Sequence, residues 1–274
     1  MNLEELNKEL GTNYQSEDNI DWYNISTNQH LSEEFIDKHK DLVSWDIISK
    51  YQPLTEEFID KHKDLVNWHY ISKYQPLSEV FIDKHKKRVD WPCISAYQPL
   101  SEEFIHKHKK RVKWDYISIY QPLSEKFIDK HKNLVVWSYI SQYQPLSEEF
   151  RKKHKLKLPS NNWLYKTEDF KKEQIKNSGL YECYDDYFIA YKGIRRDRYS
   201  NFNFQYQYLP GKTYESHADC SSDENSFGLS VWTEEEARDY CNKLVVKCKV
   251  YYKDVARMVH NNGKIRCFKI TILN

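Results

Sequence analysis

Along the first 150 residues the apolar side chains follow two periods at once. Within a short segment such as WDIISKYQ, at 45–52, Trp45, Ile48 and Tyr51 fall three apart, the spacing of one helical face. The segment then returns 23 residues later, so that Trp22, Trp45, Trp68, Trp91, Trp114 and Trp137 mark six copies in strict register. A fixed period of this length marks stacked supersecondary units, none of which buries its apolar face alone.

Each unit reads as two short helices. Asp21, Ser44, Asn67 and Asp90 precede four of the tryptophans and are N-cap residues, so helix A starts at the Trp. Val43 with Ile48, Val66 with Ile71, and Val89 with Ile94 occupy the staple positions around that start. Helix A must stop before Pro53, Pro76, Pro99, Pro122 or Pro145, because proline lacks a donor and restricts the residue before it. A second cap follows at Ser32, Thr55, Ser78, Ser101, Ser124 and Ser147, ahead of acidic residues suited to the positive end of a helix dipole. Helix B covers SEEFIDKHKDL, with Phe35, Ile36, His39 and Leu42 expected on its apolar side. Helices this short are marginal alone, and their stability must come from stacking. The repeated Trp and His columns, Trp22 to Trp137 and His39, His62, His85, His108 and His131, are assigned to the structural core.

The pattern decays after Pro145, where the expected isoleucine is Arg151 and PSNN breaks the chain. Trp163 and the helix-like TEDFKKEQIKN are expected to close the stack, and LEELNKEL to cap its other end. From about residue 180 the period changes. FNFQYQY at 202–208, LVVKCKVYY and KIRCFKITIL read as strands, and TEEEARDYCNKL as a capped helix. The fold expected is an α-solenoid of helix-turn-helix repeats followed by a small α+β domain. Its boundaries are a cap over 1–20, the array over 21–160, a capping helix or linker over 161–178 and the α+β domain over 179–274.

Composition narrows the class. With 30% charged and 39% hydrophobic residues the chain is not wholly disordered, and no apolar run is long enough to span a bilayer. The opening MNLEELNKEL lacks the regions of a signal peptide, which points to a soluble intracellular protein. The six cysteines are therefore expected to be reduced thiols. Net charge is only +1, but residues 1–60 hold 4 Lys and Arg against 14 Asp and Glu, whereas residues 61–160 hold 20 against 11. Such a split favours weak, salt-sensitive self-association between exposed groups.

The units FIDKHKDLV-W-xx-IS-xx-QPLSEEF resemble the short repeats of uncharacterised proteins of mimivirus-like giant DNA viruses. The tail motifs IAYKGIR, FQYQYLPGKTYESHADC, SFGLSVWTEEEA and GKIRCFKITIL are similar to a domain that recurs in giant-virus and phage proteins. This resemblance carries no activity with it, and implies a location in the host cytoplasm or the virion. AYKGI at 190–194 and GLSVWTEEEARDY at 228–240 are also similar in order to the Tyr-His-Gly and Gly-Leu-Tyr-Val-Ala motifs of diphtheria-toxin-like and PARP-like ADP-ribosyltransferases. That second resemblance implies an NAD pocket bordered by Lys192, Gly193 and Ser230. Lys192 stands where those enzymes have histidine and Ser230 where they have tyrosine, and no glutamate follows Glu236.

Three further chemistries compete with plain packing. One His per unit on helices 8–10 Å apart cannot converge on a metal, so each imidazole is expected to bond a neighbouring turn. His217 and Cys220, with Cys183, make only a loose metal-ligand pattern, and no metal is assigned. The Lys-His-Lys of helix B suggests RNA, which the net charge supports poorly. The reading is therefore a non-enzymatic interaction protein, with no cofactor, that presents a surface to a protein partner. The alternatives are a degenerate or active transferase-like domain and an RNA-binding array. Candidate contact positions are the columns of helix A that change between copies. They are Asp46, His69, Pro92, Asp115 and Ser138 directly after Trp, and Lys50, Lys73, Ala96, Ile119 and Gln142 at the fifth position after it.

Overall fold

The computed structural model describes residues 3–28, 31–157, 163–200, 204–218, 220, 228–259 and 263–273. The protein is a repeating 23-residue helix-turn-helix array followed by a smaller α+β domain with two open sheets. It forms two compact units, Met1–Val89 and Asp90–Asn274. Among the described residues no helix is long and apolar enough to cross a membrane.

The first unit opens on the helix Leu3–Leu10, which buries Leu6. Its A helices are Trp22–Asn28, Trp45–Tyr51 and Trp68–Tyr74, and its B helices Glu33–Lys38, Glu56–Lys61 and Glu79–Lys84. Each B helix begins where a Ser or Thr hydroxyl accepts from the backbone N–H three residues on, as Thr55 does from Phe58 at 3.1 Å. Asn67 caps its A helix in the same way, whereas the Ser44 side chain makes no cap hydrogen bond. Phe35, Ile36, Phe58 and Ile59 are buried, as the spacing predicts. Leu42 is not on that face. Helix B ends at Lys38 with His39 as its C-cap, and the N–H groups of both Leu42 and Val43 turn back to the His39 carbonyl. The tight turn brings Val43 inward and leaves Leu42 46% exposed.

What ties one repeat to the next is polar. Gln75 donates its Nε2 to the carbonyls of Ser49, at 3.0 Å, and Gln52, at 2.7 Å, while its Oε1 accepts from Leu54 N–H at 3.1 Å. One buried amide thus satisfies three backbone groups of the repeat before it. Ser49 Oγ donates to Trp45 O and accepts from Asn67 N–H, and Glu33 accepts from both Thr55 N–H and Thr55 Oγ1. Asp37 holds Lys61 Nζ at 2.8 Å and lies 3.0 Å from His62 Nε2. The imidazole thus meets a carboxylate of the preceding repeat rather than a turn. Its ring also lies 5.0 Å from Trp45 and 4.5 Å from Phe58.

The second unit continues with the A helices Trp91–Tyr97, Trp114–Tyr120 and Trp137–Tyr143, and the B helices Glu102–Lys107, Glu125–Lys130 and Glu148–Lys153. Gln121 and Gln144 repeat the amide pattern of Gln75. The last rung has no following glutamine. There the Tyr165 hydroxyl donates to Gln144 O and accepts from Leu146 N–H, and Arg151 donates to Ser141 O at 3.0 Å. A phenol and a guanidinium together take the place of the missing amide.

The α+β domain comprises β1 (Glu182–Cys183), β2 (Tyr187–Ile194), β3 (Thr213–Glu215), β4 (Leu229–Val231), β5 (Leu244–Tyr251), β6 (Val255–Met258), β7 (Ile265–Cys267) and β8 (Lys269–Ile272). The five-stranded sheet runs β1-β2-β5-β8-β3 and the three-stranded sheet β4-β7-β6, with all pairs antiparallel. KIRCFKITIL supplies two strands, one to each sheet, separated at Phe268. The helix Glu234–Tyr240 starts where Thr233 Oγ1 accepts from Glu236 N–H, as the sequence predicts. Trp163 and Ile175, the latter on the helix Glu168–Asn177, lie in one buried cluster with Phe188, Val246, Cys248 and Ile270. They therefore belong to the core of this domain, and the residue beside them that closes the stack is Tyr165. FNFQYQY is the main departure. Residues 202 and 203 lie outside the described residues, and 204–208 form no strand, only a single bridge from Gln207 to Tyr199.

Candidate functional site

The changing columns of helix A divide into exposed and enclosed positions. Asp46, His69, Asp115, Ser138 and Gln142 are exposed, Pro92, Lys50, Lys73 and Ile119 half-buried, and Ala96 buried. Asp46 Oδ1 accepts from Asn67 Nδ2 at 2.7 Å, and the His69 ring meets Tyr70 edge-on at 5.5 Å. Pro92 fits because it stands in the first turn of its helix, where its missing N–H would have had no helical partner. Lys50 Nζ lies over the rings of Tyr51, at 4.8 Å, and Tyr70, at 5.7 Å, and Lys73 Nζ lies over Tyr74 at 5.2 Å.

The repeated columns are engaged within the array. Trp22, Trp45, Trp68, Trp91, Trp114 and Trp137 are each half-buried, whereas His39, His62, His85, His108 and His131 are buried. Each indole sits at the edge of the core against Phe and His, as Trp68 is stacked on Phe81 and tilted against His85, and Trp68 Nε1 donates to Lys63 O at 2.9 Å. Lys61, Lys84 and Lys153, the first lysines of three Lys-His-Lys runs, are held by Asp37, Asp60 and Asp129 of the preceding repeat. That reduces the basic face available to a phosphate backbone.

A cavity of about 460 Å³ opens in the second unit, where the α+β domain meets the array. Tyr97, Pro99, Tyr120 and Pro122 line it from the ends of two successive A helices, and Tyr206, Glu215 and His217 from the domain. His217 Nε2 lies 3.4 Å from the carbonyl of Ile119, so one of the changing positions marks this junction. Tyr206 donates its hydroxyl to Glu215 O, and the Glu215 carboxylate pairs with Lys269. Tyr206, Glu215 and His217 lie within the tail motif FQYQYLPGKTYESHADC, but nothing in the sequence places them beside the tyrosines that end the A helices.

Lys192 and Ser230 are brought together, with Lys192 Nζ donating to the Ser230 carbonyl at 2.9 Å. The ammonium lies 4.9 Å from the Tyr208 ring and 5.5 Å from Trp232, and burial pushes its pKa down to about 8. Burial likewise pushes the neighbouring Cys248 thiol up to about 12. Gly193 faces the helix Glu234–Tyr240, and a Cβ there would come within 2.1 Å of the Ala237 carbonyl oxygen, so glycine permits strand and helix to touch. These three residues serve the packing of β2 against its neighbours. Cys220 is buried with Ala218 and Ala256, His217 meets the Ile119 carbonyl, and all six cysteines are free thiols.

Fold and site together define a helical-repeat protein that carries an α+β domain, with a cavity between the domain and the repeats of its own unit. No family model, curated protein or solved structure matches the chain.

Proposed function

We propose that this is a non-catalytic interaction protein whose repeat array presents the changing positions of helix A to a protein partner. One observation carries the reading. The polar side chains that repeat, such as Gln75, Ser49 and Glu33, join repeat to repeat, and among the columns that change between copies His69, Asp115, Ser138 and Gln142 are exposed. Exposed positions that vary between copies are where partner specificity is built in a repeat protein.

The combined variant His69→Glu, Asp115→Arg, Ser138→Arg tests this by quantitative affinity capture from cell lysate, followed by a binding titration with the purified captured protein. Exposed substitutions of this kind change stability by about 0.5 kcal/mol or less each, so the variant remains folded. A partner held by the native chain and weakened at least about 10-fold by the variant is expected, since electrostatic mismatch across an interface costs a few kcal/mol. An unchanged set of captured proteins and unchanged affinities would overturn the proposal.

A further inference from the structure

We propose that the turn at 109–113, together with the lysines of the next repeat, binds an acidic segment of a protein partner. The inference rests on the reading of the array as a protein-binding surface, and adds the chemistry of what is bound.

Three columns that carry acids in other copies lose them together in one copy. His106 stands in the column of Asp37, Asp60, Asp83 and Asp129, Lys110 in that of Asp41 and Asp64, and Lys113 in that of Asp21 and Asp90. Residues 102–113 therefore hold five Lys and Arg against two Glu, where 33–44 in the first copy hold two Lys against two Glu and two Asp. Asp37, Asp60 and Asp129 hold Lys61, Lys84 and Lys153 of the following repeats, but Lys130, the same lysine after His106, has no such partner among the described residues. Lys109, Lys110, Arg111, Lys113, Lys130 and Lys132 are all exposed, and among the described residues none of them pairs with a carboxylate. The backbone beneath them is fixed, since Lys113 N–H donates to Ser95 Oγ at 2.9 Å and Trp114 Nε1 donates to Lys109 O at 2.9 Å. Burial first, and then His106, Lys130 and Lys109, depress the His131 pKa, so cations of two successive repeats act at one ring. Clustered cations without counter-charges raise the local potential and draw in an anionic surface. Packed helices lie about 8–10 Å apart, so both turns come within the span of six extended residues, about 20 Å. Glu103 and Asp115 stand exposed at the two ends of this stretch. A nucleic-acid backbone carries a charge at every nucleotide and is repelled there, whereas a protein segment can place a neutral or basic residue opposite each carboxylate. Trp114, the aromatic residue beside the turn, has its ring against Phe127 at 6.3 Å and His131 at 5.1 Å, which commits it to the array rather than to a stacking base.

Fluorescence anisotropy of the full-length chain with labelled hexaglutamate, hexaglutamine and hexauridylate, over a salt series from about 50 to 300 mM, tests the proposal. Hexaglutamate is expected to bind saturably, to weaken as salt shortens the Debye length, and to bind at least about 10-fold more tightly than the other two probes. Lys110→Asp with Lys113→Asp restores the acids that other copies carry in these columns, and should lower hexaglutamate affinity about 10-fold. Lys212→Asp with Lys243→Asp, at exposed positions of the α+β domain, changes the net charge equally and should leave affinity within about 2-fold. Unchanged thermal melts show that both variants keep the fold. Hexauridylate binding as tightly as hexaglutamate would reassign the patch to nucleic acid and overturn the inference. So would absence of salt-sensitive hexaglutamate binding, or equal losses from the two double variants. A chain that ignores hexaglutamate but loses its captured partner through the helix-A variant would overturn this inference alone and leave the broader reading standing.

Discussion

Gln75 carries more of the array than the tryptophans that announce it. Its amide is buried and satisfies the Ser49 and Gln52 carbonyls and the Leu54 N–H, so Gln75→Ala leaves three backbone groups unpaired beside a void. Each such group costs about 1–3 kcal/mol, and the expected loss is about 3–5 kcal/mol. Trp68 is only half-buried, and its loss forfeits part of one ring stack and the bond to Lys63 O, about 2 kcal/mol. Urea denaturation of the two variants checks the order, and a larger loss from Trp68→Ala would show that ring stacking, not the amide, joins the repeats. The sequence displays both columns with equal regularity. Tryptophan draws the eye because its bulk implies burial, whereas a glutamine before proline looks like part of a loop. Period shows that a residue is required at a position, but not whether packing or hydrogen bonding requires it.

At the level of elements, helices B of successive repeats meet through an aspartate facing Lys and His at Asp37, Asp60 and Asp129, whereas His106 stands at the aspartate position in its repeat. His106 Nδ1 lies 3.1 Å from His131 Nε2. Burial depresses the His131 pKa first, and His106, Lys130 and Lys109 depress it further against the opposing pull of Glu102. A histidine depressed in the folded state contributes stability that is complete above its unfolded value of 6.5 and is lost as pH falls through the folded value. His62 and His85 are also depressed by burial, but each has an aspartate partner pulling the other way. Acid should therefore weaken the His106–His131 contact before the others. His106→Asp restores the arrangement of Asp37 with Lys61 and His62, and should raise stability at pH 5 by about 1 kcal/mol more than at pH 8. Equal effects at the two pH values, read from denaturation midpoints, would remove His106 from the acid response. Elements were legible where caps and period agreed, as at Thr233 and in β5. FNFQYQY alternates as a strand would, yet its residues 204–208 form none. The Tyr214 hydroxyl accepts from Leu209 N–H and donates to Gln207 O, so a side chain engages backbone groups that a strand would have paired.

Over the whole molecule the sequence made the change of architecture plain, and the segment just before residue 179 packs with both parts of the second unit. A boundary at 179 follows the point where strands begin, yet Trp163 is buried in the sheet core, Ile175 is fully enclosed there, and Lys171 Nζ donates to Val255 O at 2.7 Å. The same short segment faces both ways, since Tyr165 completes the last rung of the array while Trp163, two residues earlier, fills the domain. Neither role can be read from local pattern, because each depends on which distant groups are left unsatisfied. A fragment of residues 179–274 lacks the Trp163 and Ile175 side chains, whose loss is on the scale of about 3–5 kcal/mol for the first and 2–5 kcal/mol for the second. Those sums approach the whole stability of a small domain, about 5–15 kcal/mol. Residues 163–274 should therefore melt cooperatively by circular dichroism, and residues 179–274 should show no cooperative transition. A 179–274 fragment that unfolds with the same midpoint as 163–274 would place the helix Glu168–Asn177 outside the domain's folding core, and would return it to the role of a cap on the array.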